Sequence, residues 1–301
     1  MKLVFFDDHR PGVLIDRGVV DVSPEVETGR SGQETLEQMI TTWSTLRPRL
    51  DAAVAARDAR PLETVHLRAP VPRPPKIMCM AANYREGTDA PPLPINGFVV
   101  SPEAVLDPDG TAVLPPQDFT ICHHEAELVC VIARRGHDVA EADAMDYVFG
   151  YTAGVDISAR GPWGYLGKAC DGFKPLGPCI VTADEIADPH ALRVRLSVDG
   201  VARQDYSTAD IGHKIPECIA WFSSIMTMLP GDVLFVGTNH QQVGPLQDGE
   251  TAEMEIEKIG SFRFHISDPK KRSWPKGIDP GIGQSVRGRL LEAQTASGAT
   301  T

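Results

Sequence analysis

The chain is predicted to be a mainly β, α+β protein, with a small N-terminal α+β domain over residues 1–70, a proline-rich linker at 71–76, a turn-rich β domain over 77–266 and a C-terminal extension over 267–301. Three observations predict this. Short apolar runs broken by Gly, Pro and Asp recur from Ile77 onward, as strands separated by turns do. Convincing helical periodicity in that region is confined to about 139–147 and 215–228. The 25 prolines and 27 glycines of the 301 residues suit a turn-rich β fold and not a doubly wound α/β sheet.

Residues 1–22 alternate short apolar runs with turn residues (LVFF, DDHRPG, VLI, DRG, VVDV), which predicts a meander of strands. Residues 33–59 place Leu36, Met39, Ile40, Trp43 and Leu46 at helical spacing. The stretch RAPVPRPPK at 68–76 ends that unit. Beyond residue 267 periodicity fades, and the final EAQTASGATT is expected to be a disordered tail.

The bulk composition excludes several classes of function. With 29 Lys and Arg against 41 Asp and Glu the net charge is -12, and the only basic knot, Lys270 to Arg272, is short, so neither a nucleic acid nor an anionic membrane surface is expected as a partner. No apolar run approaches the length of a spanning helix, and the start MKLVFFDDHRPG meets acids before a signal core could form, so a cytoplasmic location is expected. Six cysteines without CxxC spacing are expected to be free thiols, most of them buried.

The chemistry concentrates in HHEAELVCVIARRG at 123–136. Leu128 to Ala133 is a short β-branched run, expected to be a strand covered on both faces. Side chains two apart on a strand point the same way, so Glu125 and Glu127 crowd each other at the edge of a buried layer, which is costly unless a cation or a proton relieves them. In VFGYTAGVDIS at 148–158 the same alternation places Gly150, Thr152, Gly154 and Asp156 on one face, which leaves room for another chain segment or a ligand. Three acids at two strand ends would make an all-oxygen site suited to Mg²⁺, Mn²⁺ or Ca²⁺ and not to zinc. The alternatives are ordinary: Glu125 and Asp156 capping turns, and Glu127 paired with Arg160 or Arg134. His123 and His124 alternate to opposite faces, against a zinc site.

Four pieces in order, HHEAELVCVIARRG, GYTAGVDISAR, GKACDGFKPLGPCIVTADE and LPGDVLFVGT, resemble the fumarylacetoacetate hydrolase family across roughly residues 75–266. The resemblance implies a catalytic domain of rolled, mixed β-sheets, usually in a homodimer, with a divalent metal held by Glu125, Glu127 and Asp156. It implies an active-site lysine at Lys168, an arginine at Arg160 of the SAR motif, a threonine at Thr238, and substrate contacts from Tyr84 and Asn239. It further implies a small 2-oxo or 1,3-diketo acid as substrate, chelated to the metal and cleaved at a C–C bond through a stabilised enolate, with decarboxylases, hydratases and isomerases on the same scaffold, and a non-catalytic metal-binding or ligand-binding relative as the reading from another class.

Departures from the family pattern bear on the general base. After Asn83 and Tyr84 the histidine expected in the lid is Gly87 and the acid falls near Ala90, with Ser101, Gly161 and Asn239 replacing other motif residues. Glu86 or Asp89 could substitute, though a solvated lid face is the expected place for both. His240, in GTNHQQ, is the expected replacement base, since histidine titrates near neutral pH. His123 stands where relatives often have aspartate and is expected to support the site or simply pack.

Overall fold

The structure is a computed structural model that describes residues 1–298, with side chains through Glu292. The N-terminal meander forms as strands Lys2–Phe6, Arg10–Ile15 and Gly18–Asp21. Contrary to the expected small domain, it does not close on a sheet of its own. Lys2–Phe6 pairs antiparallel with Lys174–Thr182, Leu3 opposite Ile180, and Val4, Phe6 and Val19 share one apolar core with Leu128 and Tyr151. A three-stranded meander has too little apolar surface to stand alone, and docking its edge covers unpaired backbone as well. The stretch 71–76 thus joins two parts of one sheet.

The helix expected over 33–59 is two helices, α1 (Gly32–Thr41) and α2 (Trp43–Ala56). Ser31 caps α1 by accepting from the Glu34 N–H at 3.2 Å. The break at Thr42 has a local cause. The Thr41 and Thr42 hydroxyls donate back to the carbonyls of Glu37 and Gln38 at 2.9 and 2.7 Å, a pattern that bends helices.

The main sheet has 11 strands. At its centre Lys174–Thr182, Val148–Val155, Ala126–Ile132 and Val233–Phe235 run antiparallel in that order, and Ile77–Met80 adds in parallel. The first three are buried at every residue, as continuous apolar runs predict. A second sheet of five strands, centred on Arg193–Val198, Thr251–Ile256 and Gly260–Ser267, alternates buried and exposed residues and keeps one face in solvent. It packs on the main sheet through Leu196, Met254 and Phe264 against Leu128, Cys130 and Tyr151. The empty face expected along 148–156 is filled by protein: a Cβ on Gly154 would lie 2.8 Å from both Phe235 and Val129.

Residues 141–147 form a 3₁₀ turn, and the second expected helix is α3 (Ile215–Ile225). The C-terminal extension is not aperiodic: Pro280–Gly298 forms α4. Its start is legible in retrospect, with Pro280 opening the helix and Asp279 accepting the Gly281 N–H at 2.9 Å. Four glycines (281, 283, 288 and 298) in 19 residues weaken the helical signal. Of the tail expected to be disordered, residues through Gly298 continue α4, and 299–301 lie outside the described residues. All six cysteines are free thiols, five of them buried. Among the described residues no helix is long and apolar enough to cross a membrane.

Candidate active site

Ladder register brings the three acids together. Glu127 lies opposite Gly154 and Ala126 opposite Val155. One residue further, the Asp156 N–H donates to the Glu125 carbonyl at 2.8 Å. Glu125 and Glu127 on one strand and Asp156 across from them therefore converge, with a ligand atom of each within 4.8 Å of the others. All three are buried.

Three cations meet Glu125 and Asp156. The Lys168 ammonium, at the end of the 3₁₀ turn Gly164–Lys168, donates to Glu125 Oε2 and Asp156 Oδ2 at 2.7 Å and to Ser158 Oγ at 2.6 Å. Arg160 donates to the other oxygen of Glu125, and its Nε donates to His123 Nδ1 at 3.3 Å. Lys174, fully buried at the start of its strand, donates to Asp156 Oδ1 at 2.7 Å and to the Lys168 carbonyl. Sequence reasoning missed Lys174, because a lysine opening a strand ordinarily keeps its head in water.

The charges are shared unevenly. Burial opposes ionisation of Glu125, but Lys168, Arg160 and His240 outweigh it and hold its carboxyl below the usual range. Lys168 is held up in the same way, with Asp156 and Glu125 overriding burial. Glu127 is left out. Burial first, then Asp156 and Glu125, push its carboxyl well above the usual range, and the Gly237 N–H at 2.7 Å offsets little of this. A buried carboxyl at such cost, beside two others with oxygen lone pairs to spare, is what a hard dication would relieve. The all-oxygen donor set fits Mg²⁺, Mn²⁺ or Ca²⁺.

Across the cavity stands His240, in a 3₁₀ turn after the strand Val233–Phe235. Its Nδ1 lies 2.7 Å from Glu86 Oε1, and both Glu86 oxygens accept the His240 backbone N–H at 3.0 Å. A carboxylate only accepts, so Nδ1 carries a hydrogen, and in the neutral ring the lone pair is on Nε2. Nε2 is 4.0 Å from Glu125 Oε1. The solvated lid expected for Glu86 is corrected by this geometry: Glu86 is fully buried, turned inward by a left-handed backbone at φ 54°. Non-glycine residues adopt that conformation at some cost. Asp89 does face solvent.

Part of this cluster faces a cavity of about 470 Å³, while Asp156, Lys174 and Glu86 lie behind its lining. Glu125, Glu127, Arg160, Lys168, Thr238 and His240 line it, as does an aromatic pair, Phe98 stacked on Tyr165 at 4.2 Å. Tyr84 and Asn239 are not in the lining. Tyr84 is buried edge-on against Tyr206, and the Asn239 amide donates to Asp210 at 2.9 Å. Thr238 turns its hydroxyl to the Ala126 carbonyl at 2.8 Å, tying its loop to the strand that bears Glu127. His123 bridges Arg160 to Asp279, at 3.0 Å, and so orients the guanidinium; burial and Arg160 push it down to about 4, which keeps it neutral. His124 faces away, bonded to Gln204 at 2.9 Å.

Known proteins resemble the chain over most of its length. The model of the fumarylacetoacetate (FAA) hydrolase C-terminal domain matches residues 76–267. The mitochondrial oxaloacetate tautomerase FAHD2A of Bos taurus is 34% identical over 262 residues, covering 81% of this chain and 82% of that protein. The crystal structure of maleylpyruvate hydrolase from Sphingobium sp. SYK-6 superposes with a TM-score of 0.81 at 33% identity, over 89% of this chain and all of that one. The same hydrolase is known in complex with manganese(II) and pyruvate. A 2-hydroxyhepta-2,4-diene-1,7-dioate isomerase from Mycobacterium marinum superposes at 0.62 with 35% identity, over 72% and 83% of the two chains. The chain belongs to the fumarylacetoacetate hydrolase family, an enzyme family whose members here include a hydrolase, an isomerase and a tautomerase.

Proposed function

We propose that this enzyme binds a divalent cation at Glu125, Glu127 and Asp156 and hydrolyses a C–C bond of an acylpyruvate-like 1,3-diketo acid. The observation that carries the proposal is a buried triad of carboxylates, two of which share one cavity with an oriented imidazole. The manganese and pyruvate bound to the maleylpyruvate hydrolase support both the metal and the 2-oxo acid. When bound, a dication supplies polarisation of the substrate's 2-oxo group.

The chain's own residues supply the rest. His240 Nε2 takes a proton from water, and Glu86 holds the ring and stabilises the charge it gains. The oxygen of that water adds to the distal acyl carbonyl. The bond between that carbon and C3 then breaks, its electron pair passes to the three-carbon 2-oxo acid as an enolate, and a proton on C3 completes the product. Lys168 and Arg160 offset the negative charge that develops. All three N–H groups of Lys168 are taken by Glu125, Asp156 and Ser158, so it acts through its charge unless it releases one acceptor to the substrate.

A second reading, keto–enol isomerisation of a similar acid, is favoured by His240 being an oriented proton carrier beside the triad and by the tautomerase among the relatives. Incubating the protein with diketo and 2-oxo acids and Mn²⁺ or Mg²⁺, and reading product masses, separates the two: cleavage gives two acids, isomerisation gives no mass change but deuterium uptake at C3. Consumption of none of these acids sinks both. His240→Asn is expected to cost about 10² to 10⁴ in rate without altering the metal-induced thermal shift.

A homodimer is part of the proposal. Leu166 is 73% exposed and Val99 43% exposed, next in sequence to the cavity residues Tyr165 and Phe98, an apolar rim that pairing would cover. A monomeric mass by light scattering at micromolar concentration would rule this out.

A further inference from the structure

Helix α4 forms one wall of the cavity. Ile282, Val286 and Arg289 line it, at i, i+4 and i+7, one stripe of the helix. The wall is fixed in place by close contacts. Gly283 seats α4 on the turn that carries the base, since a Cβ there would lie 2.8 Å from Gln241 Cα and 2.9 Å from the His240 carbonyl oxygen. Val286 and Leu290 form a small core with Ala90, next to Leu93 of the same loop as Glu86. Asp279, just ahead of the helix, holds His123.

The chemistry of the stripe changes along its length. Two apolar residues are followed by a guanidinium whose Cα lies about 10 Å farther along the axis than Ile282, at 1.5 Å per residue. The other basic side chains of the wall are committed: Arg160 is bonded to Glu125, and Lys168 to Glu125 and Asp156. Arg289 lines the same cavity, is exposed, and is not among the groups bonded to Glu125 and Asp156. A planar fork of donors in that position suits a carboxylate at the far end of a ligand whose head lies at the acids.

Given the 2-oxo acid site proposed above, on which this step rests, we propose that Arg289 is the specificity-determining contact for the substrate's tail. It selects a chain that runs along Ile282 and Val286 and ends in a carboxylate, and α4 belongs to the binding site as well as to the scaffold.

The test is a set of binding isotherms on the full chain loaded with Mn²⁺, using pyruvate, 2-oxoadipate and the terminal amide of 2-oxoadipate, which has the same shape without the charge. The wild type should prefer 2-oxoadipate over the amide by about tenfold or more. Arg289→Gln should abolish that preference by weakening 2-oxoadipate about 10- to 100-fold, the range for a charge-assisted pair, while leaving the amide and pyruvate unchanged. Arg289→Lys should restore part of it. Because Arg289 is exposed, Gln is accommodated, and an unchanged melting temperature confirms this. Equal binding of 2-oxoadipate and its amide by the wild type, or a preference that survives in Arg289→Gln, overturns the role of Arg289 while pyruvate binding keeps the metal and 2-oxo acid reading. Failure of pyruvate to bind the Mn²⁺-loaded wild type overturns both.

Discussion

The two sides of the cavity are built by different means. Glu127 sits in the ladder of the main sheet opposite Gly154, and Glu125 and Asp156 stand just past its end, tied by one backbone bond. Glu86, His240 and the α4 stripe come from a left-handed turn, a 3₁₀ turn and a C-terminal helix, joined by a handful of polar contacts and one glycine seat. The sheet side holds charge it cannot comfortably hold alone, while the loop side holds few charges and depends on geometry. Substitutions on the first should alter metal binding and stability together. On the second they should alter rate and selectivity and leave the fold intact.

The largest effect is expected at Glu127. Its carboxyl is pushed well up by burial and by Asp156 and Glu125, so the folded chain favours the protonated form and loses stability as the pH rises above the ordinary glutamate range. Glu127→Gln mimics that form. In the presence of a chelator at pH 7 to 8 it should melt at or above the wild-type temperature. With Mn²⁺ the wild type should gain stability by mass action and the variant should not, and turnover should fall about 10³-fold or more, the several kcal/mol a bound metal supplies. A full Mn²⁺ shift in Glu127→Gln would remove it from the ligand set.

Lys168 should show the mixed character of the sheet side. Lys168→Met removes the cation between Glu125 and Asp156, so the metal-free protein should lose about 3 to 5 kcal/mol by chemical denaturation, the cost of breaking a buried pair. On the substrate, kcat should fall about 10² to 10³. If Mn²⁺ restores much of the lost stability while kcat stays low, the charge and the catalytic roles of Lys168 are separated. Wild-type kcat in Lys168→Met would end the catalytic role.

On the loop side, Glu86→Gln keeps an acceptor for His240 and removes the charge behind it. A loss of about 10² in kcat is expected, with the Mn²⁺ shift unchanged. Asp89→Asn, on an exposed side chain three residues on, should do nothing. The reverse pattern would return the proton-transfer role to the lid surface and leave the Glu86–His240 contact as packing.

The same contrast explains what could be foreseen from the sequence. The period-two pattern puts Glu125 and Glu127 on one face because alternation is local, while it is the ladder register that brings Asp156 to them, with Lys168 and Arg160 against the same acids. Glu86 is named as a possible base, but its burial and its pairing with His240 are out of reach, since the partner lies 154 residues away and a left-handed glutamate has no sequence signature. Its neighbours suggest a polar loop, and only the tertiary contact with His240 explains its burial. Helix α4 is hidden by its glycines, one of which is there because the helix must touch the His240 turn. Tyr84 and Asn239 show the opposite error: position in a motif placed them at the substrate, whereas packing on Tyr206 and a bond to Asp210 take them out of the cavity wall.

Among the buried groups the smallest effect at neutral pH should come from His124, which touches neither wall directly. Its Nδ1 lies 2.9 Å from Gln204 Oε1, an acceptor, and its Nε2 receives the Gly244 N–H at 3.2 Å. Those partners fit only the neutral ring with its hydrogen on Nδ1, because a second hydrogen on Nε2 would face a donor. Burial pushes the ring down to about 4 from the ordinary 6.5, the Gln204 bond opposing. A histidine lowered in the folded state gives up stability on acidification: the contribution is whole above pH 6.5, falls as the pH drops from there, and is gone below about 4. The full span is on the order of 3 kcal/mol at 1.36 kcal/mol per pH unit. His123, also pushed down to about 4, adds to the same acid limb. His124→Gln should therefore have a shallower fall in unfolding free energy between pH 6.5 and 4, with Mn²⁺ response and rate at pH 7.5 near wild type. An acid limb as steep as the wild type's would mean that other groups carry it and that His124 only packs.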